Sequence, residues 1–159
     1  MKKPFDEVVA QAKISDRCPD TTLSPRRDWA WLDASRRQAA ALSLKYGSGG
    51  MLTPNELDIV FSRWMTDEEP KELADEVAAA LGAAFGDYLV DEHGFRWVVV
   101  QDEYGREYAV SDAAARVTAF PRSSVSKRIE DGETECFQNL RIGILDLQQR
   151  MQQEWAGLK

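Results

Sequence analysis

Apolar residues recur along this chain in two rhythms, and the change from one to the other divides it. From Trp29 the pattern runs through Leu32, Ala39, Leu42 and Tyr46 at helical spacing until Gly47-Ser48-Gly49-Gly50 stops it. Ser24-Pro25 marks the start, with serine placed to cap free amides and proline at a first helical position that needs no N–H. Thr53-Pro54-Asn55-Glu56 is a capping box that opens a second helix with Leu57, Val60, Phe61, Trp64 and Met65 on its buried side. A third helix is predicted over 70–92, with Asp67, Glu68 and Glu69 at its positive end. Its apolar stripe is Leu73, Val77, Leu81, Phe85 and Tyr88, while Ala74, Ala78, Gly82 and Gly86 form a second ridge with almost no side chain. Glycine inside a helix costs roughly 1 kcal/mol relative to alanine. The close approach of another backbone, strand or helix, is therefore expected along that ridge.

At His93-Gly94, a sequence suited to ending a helix, the rhythm changes. Phe95 to Gln101 is apolar on both faces from Trp97 to Val100, as in a covered strand. Asp102-Glu103-Tyr104-Gly105 is a turn, Arg106 to Val110 a returning strand, and Arg116 to Phe120 a third strand closed by Pro121. Ser123 or Ser124 is then expected to cap a short helix ending near Asp131-Gly132. Phe137, Leu140, Ile144, Leu147, Met151 and Trp155 return to helical spacing and draw a single stripe along the last segment. That stripe has two destinations, the chain's own domain or a second copy in a homodimer. It is shorter than the roughly four heptads a free-standing coiled coil calls for.

These elements predict an α+β fold: a small three-stranded antiparallel meander packed against several α-helices, with a long C-terminal helix. The chain reads as one domain over 1–159. It comprises a weakly structured segment over 1–24 with a short helix around Phe5 to Lys13, a helical part over 24–66, a helix-plus-meander core over 70–133 and a C-terminal helix over 133–156.

The middle block resembles the family of short bacterial proteins called domain of unknown function 3806. The likeness lies in Leu81-Gly82-Ala83-Ala84-Phe85-Gly86, Arg96-Trp97-Val98-Val99-Val100, Asp102 to Glu107, and Phe120-Pro121 leading to Val125-Ser126-Lys127-Arg128-Ile129-Glu130. The resemblance implies a fold unit and a bacterial origin, and it carries over no catalytic or binding residue.

Composition narrows the chemistry. With 27 acidic against 20 basic side chains, the net charge of -7 disfavours nucleic acid and anionic lipid and favours a basic partner. No basic stripe with exposed aromatics appears, so no nucleic-acid role is expected. The start of the chain lacks the apolar run of a secretory leader, and no segment approaches the roughly 20 apolar residues of a membrane span, so a cytoplasmic protein without membrane contact is expected. Cys18 and Cys136 have neither metal nor redox spacing and read as free thiols. His93 is the single histidine, which leaves no multi-histidine metal site within one chain. No cofactor signature is present, and Gly47 to Gly50 lacks the lysine and hydroxyl of a phosphate loop.

Two groups of residues stand out. Arg122, Ser123, Ser124, Lys127 and Arg128 place hydroxyls and cations at the start of a helix, an arrangement that can hold phosphate or carboxylate, although Glu130 and Asp131 follow and can pair with the same cations. Trp29 and Trp31 lie two apart on one helix and cannot face the same way, so one of them is expected to be exposed. Together with the acidic turn of Asp102 and Glu103, they are the expected partner-binding residues. The expected function is a non-enzymatic interaction module for a basic protein, of which an immunity or antitoxin-like role is one form. The alternative is a binder, or an enzyme, for a small phosphate-containing molecule held by 122–128.

Overall fold

Helix α3 (Ala74–His93) is the element on which the others assemble. Helix α1 (Asp28–Tyr46) lies along one side of it and α4 (Pro121–Asp131) along another. Helix α2 (Pro54–Thr66) bridges α1 and α3 and carries the terminal α5 (Phe137–Gly157) on its outer side. Strands β1 (Arg96–Asp102), β2 (Gly105–Ser111) and β3 (Thr118–Ala119) form an antiparallel meander in the order β1-β2-β3. The fold is α+β. This computed structural model describes Leu23 and residues 27–103, 105–114 and 116–157, with Asp102 described in its backbone alone. The expected helix over Phe5 to Lys13, Cys18 and the Ser24-Pro25 cap lie outside the described residues.

The ridge on α3 explains how these layers close. At Gly82, a Cβ would stand 2.9 Å from the backbone N and Cα of Arg122, so the first turn of α4 presses directly on α3. One turn later, a Cβ on Gly86 would overlap the indole of Trp97 on β1. Helix and sheet therefore use successive notches of one face, which offsets the propensity lost at both glycines. Trp97 pairs with Val110, and Val110 with Ala119; these residues belong to the main core with Leu81, Phe85, Leu32 and Phe61. The other face carries a smaller cluster of Val98, Val100, Ala109 and Phe120.

Four boundaries differ from expectation. Thr53 caps α2 as predicted by accepting the Glu56 N–H at 3.2 Å, but Glu56 does not return the bond: its carboxylate accepts the Ser48 N–H instead, at 2.6 Å. Helix α3 starts at Ala74 rather than Pro70; ahead of it Asp67 and Glu72 are tied to Tyr46, and the Glu72 carbonyl accepts from the Trp64 indole, while Asp75 and Glu76 occupy the first turn in place of Asp67 to Glu69. Neither Ser123 nor Ser124 caps α4, since the helix already begins at Pro121 and both serines lie inside its opening turns. The expected five-residue third strand is ordered as strand over Thr118–Ala119 alone.

The C-terminal helix docks on its own domain through Phe137, Leu140, Ile144 and Leu147. Its first amides are satisfied from a distance. Asp58, on α2, accepts the N–H groups of Cys136, Phe137 and Gln138 at 2.9, 2.7 and 3.0 Å. A carboxylate at the positive end of α5 thus replaces a local cap. Among the described residues, no helix is long and apolar enough to cross a membrane.

Candidate functional site

The 122–128 segment is pulled in several directions by its packing. Arg122 is exposed on the first turn of α4, beside Gly82. Ser123 Oγ donates to the Glu107 carboxylate on β2. Ser124 is buried, Lys127 half-buried, and Arg128 is only 2% exposed. Arg128 Nη1 donates to the Ser124 carbonyl at 3.1 Å, but Nε and Nη2 have no hydrogen-bond partner among the described residues. The guanidinium lies near the buried Cys136 thiol: burial pushes that thiol up, and the Arg128 charge pulls against the shift. The helix start itself is closed against α3. These five side chains do not converge on one opening.

The two tryptophans divide as their spacing requires. Trp29 is 44% exposed. Trp31 turns inward, stacked on Tyr108 with centroids 4.0 Å apart and planes 9° apart, and meets Trp97 edge-on at 6.2 Å. Beneath the stack lies Asp28, fully buried in the first turn of α1, where the helix dipole favours its charge. It accepts from Arg106 Nη2 at 2.5 Å and from the Tyr108 hydroxyl at 2.7 Å. This tie brings the start of α1 beside the β1–β2 hairpin, whose turn carries the exposed Glu103. Further along α1, Arg36 makes a two-bond pair with Asp87 at 2.7 and 2.8 Å, and Asp87 also accepts the Trp97 indole N–H at 3.0 Å. Between these elements runs an open groove of about 390 Å³ lined by Leu23, Trp29, Val90, Phe95 and Trp97, with Arg36 and Arg96 contributing to its walls.

At the far end of α1 lies a surface of opposite character. The Tyr46 hydroxyl lies 2.8 Å from both Asp67 and Glu72, and Lys45 pairs with Glu72 at 2.7 Å. Burial, together with these two carboxylates, raises Tyr46 to about 12. Asp67 is held below its ordinary value by the Glu69 N–H and Tyr46. Burial works against the Glu72 carboxylate, but Lys45 and Tyr46 outweigh it and hold the group down. The three most exposed large hydrophobic side chains of the described residues are Met51 at 81%, Leu44 at 76% and Leu73 at 67%, and Leu44 and Leu73 adjoin Lys45 and Glu72 of this network in the chain. Glu68, Glu69, Asp75 and Glu76, before and after Leu73 in the chain, are exposed as well.

His93 is half-buried with its Nε2 3.2 Å from the Tyr88 hydroxyl, and Cys136 is a free buried thiol. Among the described residues, no three histidine, cysteine or carboxylate side chains gather as metal ligands.

Residues 64–138 match the model of the family described as domain of unknown function (DUF3806). It takes in α3, the sheet, α4 and the first residues of α5, while Trp29, Trp31, Leu44 and Met51 lie before it. No curated protein and no solved structure matches the chain.

Sequence reasoning did not find Asp28, Asp58 or the corner built on Tyr46. For Asp58 a signal existed: the chain offers no capping side chain at Cys136, so the amides that open α5 had to be met from elsewhere. Asp28 and the corner depend on tertiary pairs and left no such mark.

Proposed function

We propose that this protein is a non-enzymatic interaction module whose acidic corner binds a basic, amphipathic segment of a protein partner. The observation that carries the reading is that Leu44, near the C-terminal end of α1, Met51 and Leu73 stand out into solvent, with the exposed Glu68, Glu69, Asp75 and Glu76 close to Leu73 in the chain. Apolar side chains with a charged surround suit an interface core with a rim, and the acidic field steers a cationic partner toward it. Trp29 stands among guanidiniums, so the basic-partner reading draws its charge from the corner rather than from Trp29, Trp31, Asp102 and Glu103. Neutralisation of a basic protein, as in immunity or antitoxin proteins, fits this chemistry.

The test is affinity capture from native-host lysate at moderate salt with three tagged chains: wild type, Leu44→Ser/Leu73→Ser, and Trp29→Ala. The expected result is one stoichiometric basic partner, lost with the corner variant and kept by Trp29→Ala. Equal capture by all three, or none, overturns the proposal.

A second reading, a binder of phosphate-containing ligands at 122–128, is favoured by the two partnerless donors of Arg128. It expects inorganic phosphate to raise the melting temperature of the wild type but not of Arg128→Ala. No response in the wild type sinks it.

A further inference from the structure

The groove at the N-terminal end of α1 has the size and lining of a small-molecule site. Its volume of about 390 Å³ lies within the roughly 300–1,000 Å³ that such sites span, and like them it joins an apolar floor to very few polar groups. Leu23, Trp29, Val90, Phe95 and Trp97 supply the floor. Trp29 keeps 44% of its surface exposed, so apolar area remains there for a guest to cover.

Two arginines line the walls, and only one of them is spent. Arg36 is held by Asp87 through two bonds, and Asp87 also accepts the Trp97 indole N–H, so that wall is fixed and its charge cancelled. Arg96, exposed at the start of β1, has no hydrogen-bond or ion-pair partner among the described residues. Of the other acids that act on Arg36, Asp33 is paired to Arg37, which leaves Asp91. A guest with one negative charge therefore finds one free guanidinium, a group whose planar fork matches a carboxylate. A second negative charge would face Asp91 with no cation left to balance it.

We propose that this groove binds a small apolar monocarboxylate, with its hydrocarbon body against Trp29, Val90 and Trp97 and its carboxylate on Arg96. Burial of hydrocarbon supplies the affinity, and Arg96 sets the orientation and the sign of charge accepted. The groove shares no residue with the acidic corner, so either can fail alone.

The test is an NMR titration of the full chain with three probes of one length and different charge: octanoate, octanol and octylammonium. Octanoate is expected to give saturable shifts centred on the signals of Trp29, Phe95 and Trp97, and to bind at least roughly fivefold more tightly than octanol. Octylammonium is expected to bind more weakly than octanol. Arg96→Gln removes the advantage of octanoate and leaves octanol unchanged, while Trp29→Ala weakens both. Arg96 is exposed and Trp29 nearly half so, and melting temperatures verify that both variants fold. The ranking of the three probes on the wild type stands as a test even if a variant does not. Equal affinity for the three probes, or no saturable shift at the groove, overturns the proposal. A preference for octanoate that survives in folded Arg96→Gln, or binding that folded Trp29→Ala leaves unchanged, overturns it too.

Discussion

Arg106 and Arg128 both place a guanidinium inside the fold, and they meet opposite surroundings. Arg106 reaches down from the second strand to Asp28, a carboxylate with no exposure at all, and shares it with the Tyr108 hydroxyl. Arg128 is the more deeply buried of the two, yet it finds a single backbone carbonyl one turn back on its own helix. A buried charge costs several kcal/mol to desolvate, and only a well-placed counter-charge with further hydrogen bonds returns it. The first arginine is therefore a fastener between α1 and the sheet, the second a strained resident of the interface between α3, α4 and α5.

The sharpest way to break this contrast is to remove the carboxylate that one arginine has. Asp28→Ala leaves Arg106 and Tyr108 facing a buried gap and should lower unfolding stability by about 3 kcal/mol in urea melts. Adding Arg106→Met should recover part of that loss, because the stranded charge is gone. A smaller loss, roughly 2 kcal/mol, is expected for Asp58→Ala, which strips the acceptor from three amides at once. Hydrogen exchange should place that loss at the first turn of α5. Arg128→Met should move the other way, gaining about 1 kcal/mol by filling similar space without charge. A marked loss instead would mean that Arg128 is paired in solution, and that the two arginines are alike after all.

The mildest effect serves as the exposed baseline. Asp67 and Glu72 are held below their ordinary values in the fold, so their contribution to stability is complete above the usual carboxylate range. It is lost as pH falls through that range toward their folded values. Tyr46→Phe should therefore lower the neutral plateau of a pH–stability profile slightly and leave the acid end unchanged, which makes the acid limb shallower. Tyr46 itself, raised to about 12, adds stability that is present below its ordinary value of 10.0 and lost as pH climbs through the folded one.

How much of this was legible in the chain follows the range of the interactions involved. The meander, the Thr53 cap and the notched ridge on α3 are written in neighbours two to four positions apart, and periodicity exposes them. The division between Trp29 and Trp31 was likewise readable, since it needs only helix geometry. The start of α3 was misplaced because Tyr46 and Trp64 claim residues 67–73 from outside the segment. Nothing in Arg122 to Arg128 announces that α3 closes over the helix start, since the notch at Gly82 lies 40 residues earlier. The acidic corner was equally hidden: Lys45 and Tyr46 meet Asp67 and Glu72 only once α1 and the α2–α3 connection fold together.

The Asp58 bond bears on where this domain begins. The family match opens at residue 64 and closes at 138, inside the first turn of α5, whereas the carboxylate that receives that turn sits on α2, 78 residues before Cys136. A chain cut to the family limits would keep the amides of Cys136, Phe137 and Gln138 and discard their acceptor. The contacts that hold the first turn of α5 therefore reach beyond the stretch that the family model covers.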